Sequence, residues 1–120
     1  MKRDMDLARA IMNEVEEKLP PMGNLESRVS IEGYDPAIID GHIELLIEAD
    51  LLEGRVNKAA KMIVITGLPW KGHDFISAAK DNTIWAKAKS TILKHGASLP
   101  FDVLLEWLKA ETKNHLGLGS

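Results

Sequence analysis

Residues 34–66 read YDPAIIDGHIELLIEADLLEGRVNKAAKMIVIT, and the first half of this stretch has the pattern of an amphipathic helix. Asp35-Pro36 is typical of a helix start, because Asp caps free N–H groups and Pro suits the first helical position. The apolar side chains then recur at helical spacing and form one broad face that includes His42. They are Ile38, Ile39, Ile43, Leu46, Ile47 and Ala49.

The second half of the stretch has the pattern of a β-hairpin. Leu51-Leu52 and residues 62–65 are two apolar runs, and the polar residues 53–61 separate them. A helix that leads directly into a two-stranded hairpin is the core of a winged helix. The stretch therefore predicts a winged-helix-like fold.

Upstream of this stretch, the pattern predicts one helix and one short strand. The helix begins at Asp4 or Asp6 and runs to Lys18, and the proline pair at 20–21 ends it. Residues 27–32 alternate between apolar and polar side chains. This alternation predicts a half-buried strand beside the hairpin.

Downstream, the sequence predicts three helices. The turn residues 66–69 lead into the first of them, and residues 81–83 mark the start of the second. Gly96 is well placed to end that second helix in a left-handed conformation. The last helix is predicted over residues 100–114, where apolar residues again recur at helical spacing.

These elements predict a mainly α fold with a small antiparallel β-hairpin, which is an α+β class. A chain of 120 residues has the length of one domain, and 45% hydrophobic with 28% charged residues is a globular composition. We therefore expect a single winged-helix-like domain over residues 1–120. Its core is predicted at 4–81 and a C-terminal helical extension at 82–114.

Composition excludes several kinds of site. The chain has no cysteine, so it can form no disulfide, thiolate nucleophile or cysteine zinc site. No apolar run approaches the ~20 residues that span a bilayer. The basic residues near the N-terminus lack the apolar stretch of a signal peptide. A cytoplasmic location is therefore expected.

Charge is distributed unevenly along the chain, whose net charge is −3. Residues 1–54 contain five basic and thirteen acidic residues, whereas residues 55–95 contain eight basic and two acidic ones. If the two segments are also separated in space, each attracts partners of opposite charge. An uneven scatter of solvated charges explains the same counts equally well.

The predicted middle helix has an acidic face. Asp40, Glu44 and Glu48 are spaced four apart, so they share one side of the helix. A helix that reads bases lies against phosphates, which repel carboxylates. No Lys or Arg lies between residues 34 and 54, and His42 is the only plausible donor to a base. We therefore interpret the three carboxylates as an acidic interaction face, which favours a protein partner over DNA.

The hairpin has the opposite charge. Arg55, Lys58 and Lys61 form a basic wing that suits phosphate groups or an acidic partner. The later helices add a candidate secondary basic face: Lys71, Lys80, Lys87 and Lys89. The solubility of a polar loop explains the lysines of the hairpin about as well.

Two routes to self-association follow. In a two-fold dimer, the acidic face of each chain contacts the basic wing of the other. Trp107 and Leu108 are a candidate oligomer contact, if one small core cannot bury them. Trp70, Trp85 and Trp107 lie among apolar residues at helical spacing, so we expect core packing rather than stacking on single-stranded bases.

No reaction is indicated. His42, His73, His95 and His115 form no pair at the spacing of helical metal ligands, and the glycines form no nucleotide-binding fingerprint. We expect His73 to pack beside Trp70. No catalytic residue, metal, cofactor or small-molecule substrate is therefore predicted.

Four segments resemble a family of uncharacterised bacterial and phage proteins, domain of unknown function 2513. They are MKRDMDLARAIMNEVEE, GYDPAIIDGHIELLIEADLLEG, WKGHDFISAAKDNTIWAKAK and LPFDVLLEWL, at residues 1–17, 33–54, 70–89 and 99–108. The run GHDF…DNTIW is the most specific part. The resemblance implies a small winged-helix-like protein, often encoded in phages and prophages, and it supplies no catalytic residues.

The sequence therefore predicts a non-enzymatic binding module. We expect a protein-interaction or self-associating adaptor, with a protein partner or a second copy of the chain and no membrane. The alternative is a DNA-binding transcriptional regulator that grips duplex DNA through its basic wing. This alternative rests on an analogy of fold.

Overall fold

The computed structural model describes residues 1–25, 28–94 and 99–117. Within them the chain forms five helices and one two-stranded antiparallel sheet, which confirms the mainly α, α+β class. The elements are α1 (Met5–Lys18), α2 (Pro36–Glu48), β1 (Glu53–Asn57), β2 (Met62–Gly67), α3 (Trp70–Ala78), α4 (Asn82–Thr91) and α5 (Phe101–His115). The chain divides into two compact units, residues 1–73 and 74–120, and the division lies inside α3.

The first unit begins with two helices whose predicted starts are confirmed. The Asp4 carboxylate accepts the N–H of Leu7 at 3.1 Å and caps α1, which ends at Lys18 before the prolines. The Asp35 carboxylate accepts the N–H of Ala37 at 3.1 Å and caps α2, with Pro36 in the first turn. The two helices pack against each other through buried side chains. These include Leu7, Ile11, Met12 and Val15 of α1 and Ile39, Ile43 and Leu46 of α2.

A left-handed residue ends α2. The N–H of Leu51 donates to the carbonyl of Leu46 at 2.9 Å, and the N–H of Asp50 donates to that of Ile47 at 3.1 Å. These two bonds form the Schellman motif, which requires a positive φ at the residue after the cap. Asp50 takes this position with a φ of 61°, although glycine fits it best.

The first strand of the hairpin is shifted from its predicted position. Leu51 and Leu52 are fully buried in the turn after α2, because their side chains close the core rather than pair across a sheet. The strand is the polar segment β1, which pairs with β2 from Gly54 opposite Ile65 to Asn57 opposite Met62. Its alternating exposure is that of a strand with one face in water.

The hairpin turn, residues 58–61, is short and held by its own polar groups. The N–H of Lys61 donates to the carbonyl of Lys58 at 3.2 Å, and the N–H of Ala60 donates to the Asn57 side chain at 3.0 Å. Lys61 has a φ of 53° and brings the chain back into β2.

The predicted strand over 27–32 is wrong for its described residues, since residues 28–32 form no strand. The chain instead meets the sheet at Leu25, whose N–H donates to the carbonyl of Ile65 at 2.9 Å. Val29 is buried as the alternation predicted, so its burial comes from packing and not from pairing. Ser27 lies outside the described residues.

The first turn of α3 lies very close to the turn after α2. A Cβ atom built on Gly72 would lie 2.2 Å from the Leu51 carbonyl oxygen, closer than any real contact. Glycine is therefore required here by the close approach of two backbone segments.

In the second unit the predicted helices are confirmed. Asp81 caps α4 by accepting the N–H groups of Thr83 and Ile84 at 2.8 and 3.0 Å. The buried ring of Phe75 contacts Trp85 and Phe101 edge-on, with ring centroids 6.4 and 6.3 Å apart. Gly96, the predicted end of the second of these helices, lies outside the described residues.

Candidate functional site

His42 is a buried polar residue of the first unit, and only 2% of it is exposed. Its Nε2 accepts the backbone N–H of Asp4 at 2.8 Å, and its Nδ1 lies 2.9 Å from the carbonyl oxygen of Ile38. Because Nε2 is an acceptor, the neutral ring must carry its proton on Nδ1 and donate it to Ile38. The prediction that His42 is available to contact a base is therefore wrong, since Nε2 joins it to the start of α1 and Nδ1 contacts the backbone of its own helix.

The Asp4 carboxylate extends this network to Tyr34. One oxygen caps α1, and the other accepts the phenol O–H of Tyr34 at 2.9 Å. This hydrogen bond favours the neutral phenol and, with a contribution from burial, raises the pKa of Tyr34 above its ordinary value of 10.0. We call Asp4, Tyr34 and His42 the α1–α2 latch, and its contacts serve the fold.

The acidic face of α2 is partly neutralised within its own chain. Arg28 donates to Asp40 at 2.6 Å, and Lys58 lies 3.1 Å from a carboxylate oxygen of Glu44. Glu48, one turn further on, is exposed. The predicted row of carboxylates therefore exists, but Asp40 and Glu44 form ion pairs with Arg28 and Lys58 of the same chain.

The basic wing is spread over the hairpin rather than gathered at its tip. Arg55 lies in the middle of β1 and is exposed, whereas Lys58 and Lys61 lie at the two ends of the turn. Lys58 points back toward Glu44 of α2, so the basic wing and the acidic face already meet within one chain.

The four lysines of the predicted secondary basic face do not share one unit. Lys71 lies in the first unit and donates to the Ala49 carbonyl at 3.0 Å, where a cation suits the C-terminus of α2. The other three lie in the second unit, where Lys87 pairs with Glu111 at 2.9 Å. Lys80 and Lys89 are exposed.

The candidate oligomer contact on α5 needs a correction. Leu108 is fully buried, so its side chain is not available to a partner. Trp107 is half-buried. Trp85 is buried, as expected of a core anchor.

Trp70 is the residue that the sequence reading placed most wrongly, since 86% of it is exposed. It begins α3, and the buried apolar side chains of that helix lie more than one turn later, at Phe75, Ile76 and Ala78. A rotation of about 100° per residue places Trp70 about 140° from Phe75, on another side of the helix. Apolar character at helical spacing therefore did not imply burial here.

A cavity of about 350 Å³ opens beside this turn, and sequence reasoning missed it. Residues 19–23 form one wall and residues 66–68 the other, with Glu16 and His73 also in the lining. Met22, in the first wall, is 90% exposed. Trp70 precedes His73 by three residues, so the two are neighbours on the surface of α3. We call this cavity the proline groove, after Pro20 and Pro21 in its wall.

The residues that the structure describes hold neither a metal-ligand cluster nor a membrane-spanning helix. Those residues contain no group of three or more His, Cys, Asp or Glu side chains placed to hold a metal ion. None of the helices they form combines the length and the apolar character that crossing a bilayer requires.

Comparisons with known proteins support the family and no activity. An uncharacterized protein of Haemophilus influenzae (strain ATCC 51907 / DSM 11121 / KW20 / Rd) is 29% identical over 106 residues, which cover 87% of this chain and 89% of that protein. No solved structure matches the chain, so the winged-helix assignment stays a prediction. Residues 2–98 match the family described as hypothetical protein (DUF2513), and the chain belongs to that family.

Proposed function

We propose that this chain is a non-enzymatic protein-binding module whose contact surface is formed by Trp70 and the proline groove. It acts as an adaptor in the cytoplasm, in the phage or prophage setting that the sequence resemblance implies. The observation that carries the proposal is the exposure of Trp70, the largest side-chain type, at 86%.

An exposed tryptophan beside a cavity suits protein recognition for two reasons. A tryptophan side chain buries roughly 150–250 Å² when covered, which makes leaving it in water costly. Tryptophan is also among the residue types that contribute most to binding energy at protein interfaces. Met22, almost fully exposed in the wall of the groove, adds a flexible apolar side chain to the same surface.

The acidic face of α2 gives weaker support to a protein partner than the sequence suggested. Arg28 and Lys58 already pair with Asp40 and Glu44, so the carboxylates that would repel DNA are partly screened. The proposal therefore rests on the apolar surface around Trp70 and not on the charge of α2.

The test uses the full chain and two variants as bait in a lysate of a bacterial host. Retained proteins are identified by mass spectrometry, purified and titrated against each bait. We expect Trp70→Ala to weaken binding about tenfold or more, as truncation of an interface anchor does. Val103→Ala is the matched control, because Val103 is an exposed apolar residue of α5. Equal affinity of the wild type and Trp70→Ala would contradict the proposal.

Self-association is the second form of the same proposal. A dimer in which α2 meets the partner's wing has to replace the pair between Lys58 and Glu44 that forms within one chain. Sedimentation at low and high salt tests it, since such a charge-paired dimer dissociates as salt is added. A monomer under both conditions would exclude this arrangement.

DNA binding through the hairpin remains the second candidate function. The supporting observation is that Arg28, Arg55, Lys58 and Lys61 are all exposed, and two of them lie over the carboxylates of α2. Binding to random duplex DNA is measured across a salt series. If all three wing residues contact phosphates, replacing Arg55, Lys58 and Lys61 by Ala lowers the slope of log K against log salt by about 2.7. Absence of binding at low salt would reject this function.

A further inference from the structure

We propose that the proline groove and Trp70 bind an extended segment of the partner protein that places a Lys or Arg beside a large apolar side chain. This inference rests on the proposed protein-binding function and names the chemistry of the partner. Four features of the first unit carry it: the walls of the groove, its charge, the exposed indole and the surface that leads into it.

The walls of the groove combine apolar side chains with about as much polar surface, and the groove has room for one large side chain. Leu19, Pro20, Pro21 and Met22 form one wall, and Leu68 lies in the other. The volume of about 350 Å³ falls in the range of roughly 300–1,000 Å³ found for pockets that enclose ligands. An apolar side chain of the partner therefore fits the interior.

The charge of the groove is negative. Glu16 belongs to the lining, and the lining residues that the structure describes include no Lys or Arg. The Glu53 carboxylate lies next to the lining residue Gly67, since a Cβ built on Gly67 would collide with it, and it adds negative charge nearby. The cations nearby in sequence are directed elsewhere: Lys18 pairs with Glu14 at 2.9 Å, and Lys71 donates to the Ala49 carbonyl. Charge complementarity thus favours a cationic partner.

The indole of Trp70 recognises the same charge in another way. A Lys or Arg placed over the face of a tryptophan ring is attracted by the ring electrons, and tryptophan is the best aromatic for this contact. His73 lines the groove and Trp70 precedes it by three residues on α3, so we infer that the exposed ring lies near the edge of the groove. A cationic side chain at this edge is held between the indole and the carboxylates.

The outer face of β2 gives the binding surface its elongated shape. Met62, Val64 and Thr66 alternate along the strand on one side, and Thr66 also lines the groove. At about 3.3 Å per residue these positions span about 13 Å, the length of roughly four residues of extended chain. Met62 is exposed and Val64 half-buried, but the exposed Arg55 lies directly opposite Val64 on the same face of the sheet. The apolar part of the partner segment therefore lies along this track, and its Lys or Arg lies at the groove end, away from Arg55.

The experiment selects binders to the full chain from a display library of random peptides, followed by titration of the enriched peptide in synthetic form. We expect Lys or Arg next to Leu, Ile, Phe or Met among the enriched sequences, with affinity that falls as salt is added. Trp70→Ala and Glu16→Lys are each expected to weaken binding about tenfold or more. Glu106→Lys and Val103→Ala, at exposed positions of α5, are the matched controls and should bind like the wild type.

Several outcomes would overturn the inference. Enrichment of acidic peptides, enrichment of sequences without a basic residue, or binding that is insensitive to Glu16→Lys would each do so. A dimer that Trp70→Ala dissociates would also overturn it, because the occupant would then be a second copy of the chain. If Trp70→Ala still abolishes binding of a lysate protein, the proposed function survives without this partner chemistry. If it affects neither experiment, both proposals fail.

Discussion

His42 and Trp70 are opposite exceptions to the rule that apolar side chains lie inside and polar ones outside. His42 is 2% exposed, whereas Trp70 is 86% exposed. Such exceptions are more informative than an exposed leucine, because each has a cost that something must offset. For His42 the offset is visible, since both ring nitrogens have backbone partners within 2.9 Å.

Among the described residues of the first unit, 1–25 and 28–73, no hydrogen bond, ion pair or ring contact is shown for the Trp70 side chain. The residues of the α1–α2 latch hydrogen-bond to one another and hold two helices together, so their role is structural. The indole is almost fully exposed, and the proline groove, lined by His73 three residues further along α3, has a volume of about 350 Å³. The comparison teaches that the buried histidine is a structural residue and the exposed tryptophan a candidate functional one.

The largest expected effect comes from removing the His42 imidazole, which tests whether this residue is structural. We expect His42→Ala to lower the free energy of unfolding by about 4 kcal/mol, because it leaves a cavity and an unpaired Asp4 N–H. Urea denaturation measures the change. His73→Ala is the matched control, since His73 is exposed, and it should change stability by less than about 0.5 kcal/mol. An equal effect of the two substitutions would show that the latch is not structural.

The second prediction concerns Gly72, which lies in the same helical turn as Trp70 but is expected to matter for the fold rather than for binding. Gly72→Ala should destabilise by about 3 kcal/mol, because its Cβ collides with the backbone oxygen of Leu51. Ser77→Ala, at an exposed position of the same helix, should be nearly neutral. A stable Gly72→Ala variant in the same denaturation series would mean that α3 can move away from the turn after α2.

The third prediction concerns Tyr34, the single tyrosine of the chain. Its absorbance reports its ionisation directly, and we expect a midpoint above 10.0 that falls toward that value in Asp4→Asn, which removes the charge. Because the folded pKa is raised, the hydrogen bond stabilises the protein fully below pH 10. This contribution is lost as pH rises through the folded pKa. Tyr34→Phe should abolish this part of the alkaline loss of stability.

The smallest expected effect belongs to Trp70. Replacing it by Ala should change the free energy of unfolding by less than about 0.5 kcal/mol, because an exposed side chain loses little on truncation. Thermal denaturation of the variant checks this result. A loss of more than about 1 kcal/mol would place the indole in the fold and remove the main reason for assigning it a binding role.

Much of the fold was predictable because the signals were local. Asp35-Pro36 and Asp81 are caps that act within two or three residues, and both begin helices as expected. The position of the first strand was not predictable from hydrophobicity, because the apolar residues Leu51 and Leu52 are buried in the core and do not belong to the strand. Their burial depends on contacts with segments distant in sequence, such as the start of α3, which lies against the Leu51 backbone.

The candidate site was less predictable for the same reason. The acidic row of α2 was readable from its spacing, but the Arg28 and Lys58 partners come from other segments and only a three-dimensional structure reveals them. Trp70 was predicted to be buried because it belongs to the same helix as Phe75 and Ile76, which are buried. It lies on another side of that helix. The proline groove combines residues about fifty positions apart, and no local pattern indicates it.

His42 accepts its hydrogen bond from the backbone N–H of Asp4 and not from a side chain. This bond is therefore more sensitive to mutation at position 42 than at position 4. Any amino acid except proline at position 4 still presents an N–H to the imidazole, so this bond survives almost every substitution there. At position 42 few side chains offer an acceptor at the same distance. A saturation mutagenesis scan scored by folding should therefore find position 42 the less tolerant of the two, with position 4 limited by proline and by loss of the carboxylate that caps α1 and accepts the Tyr34 O–H.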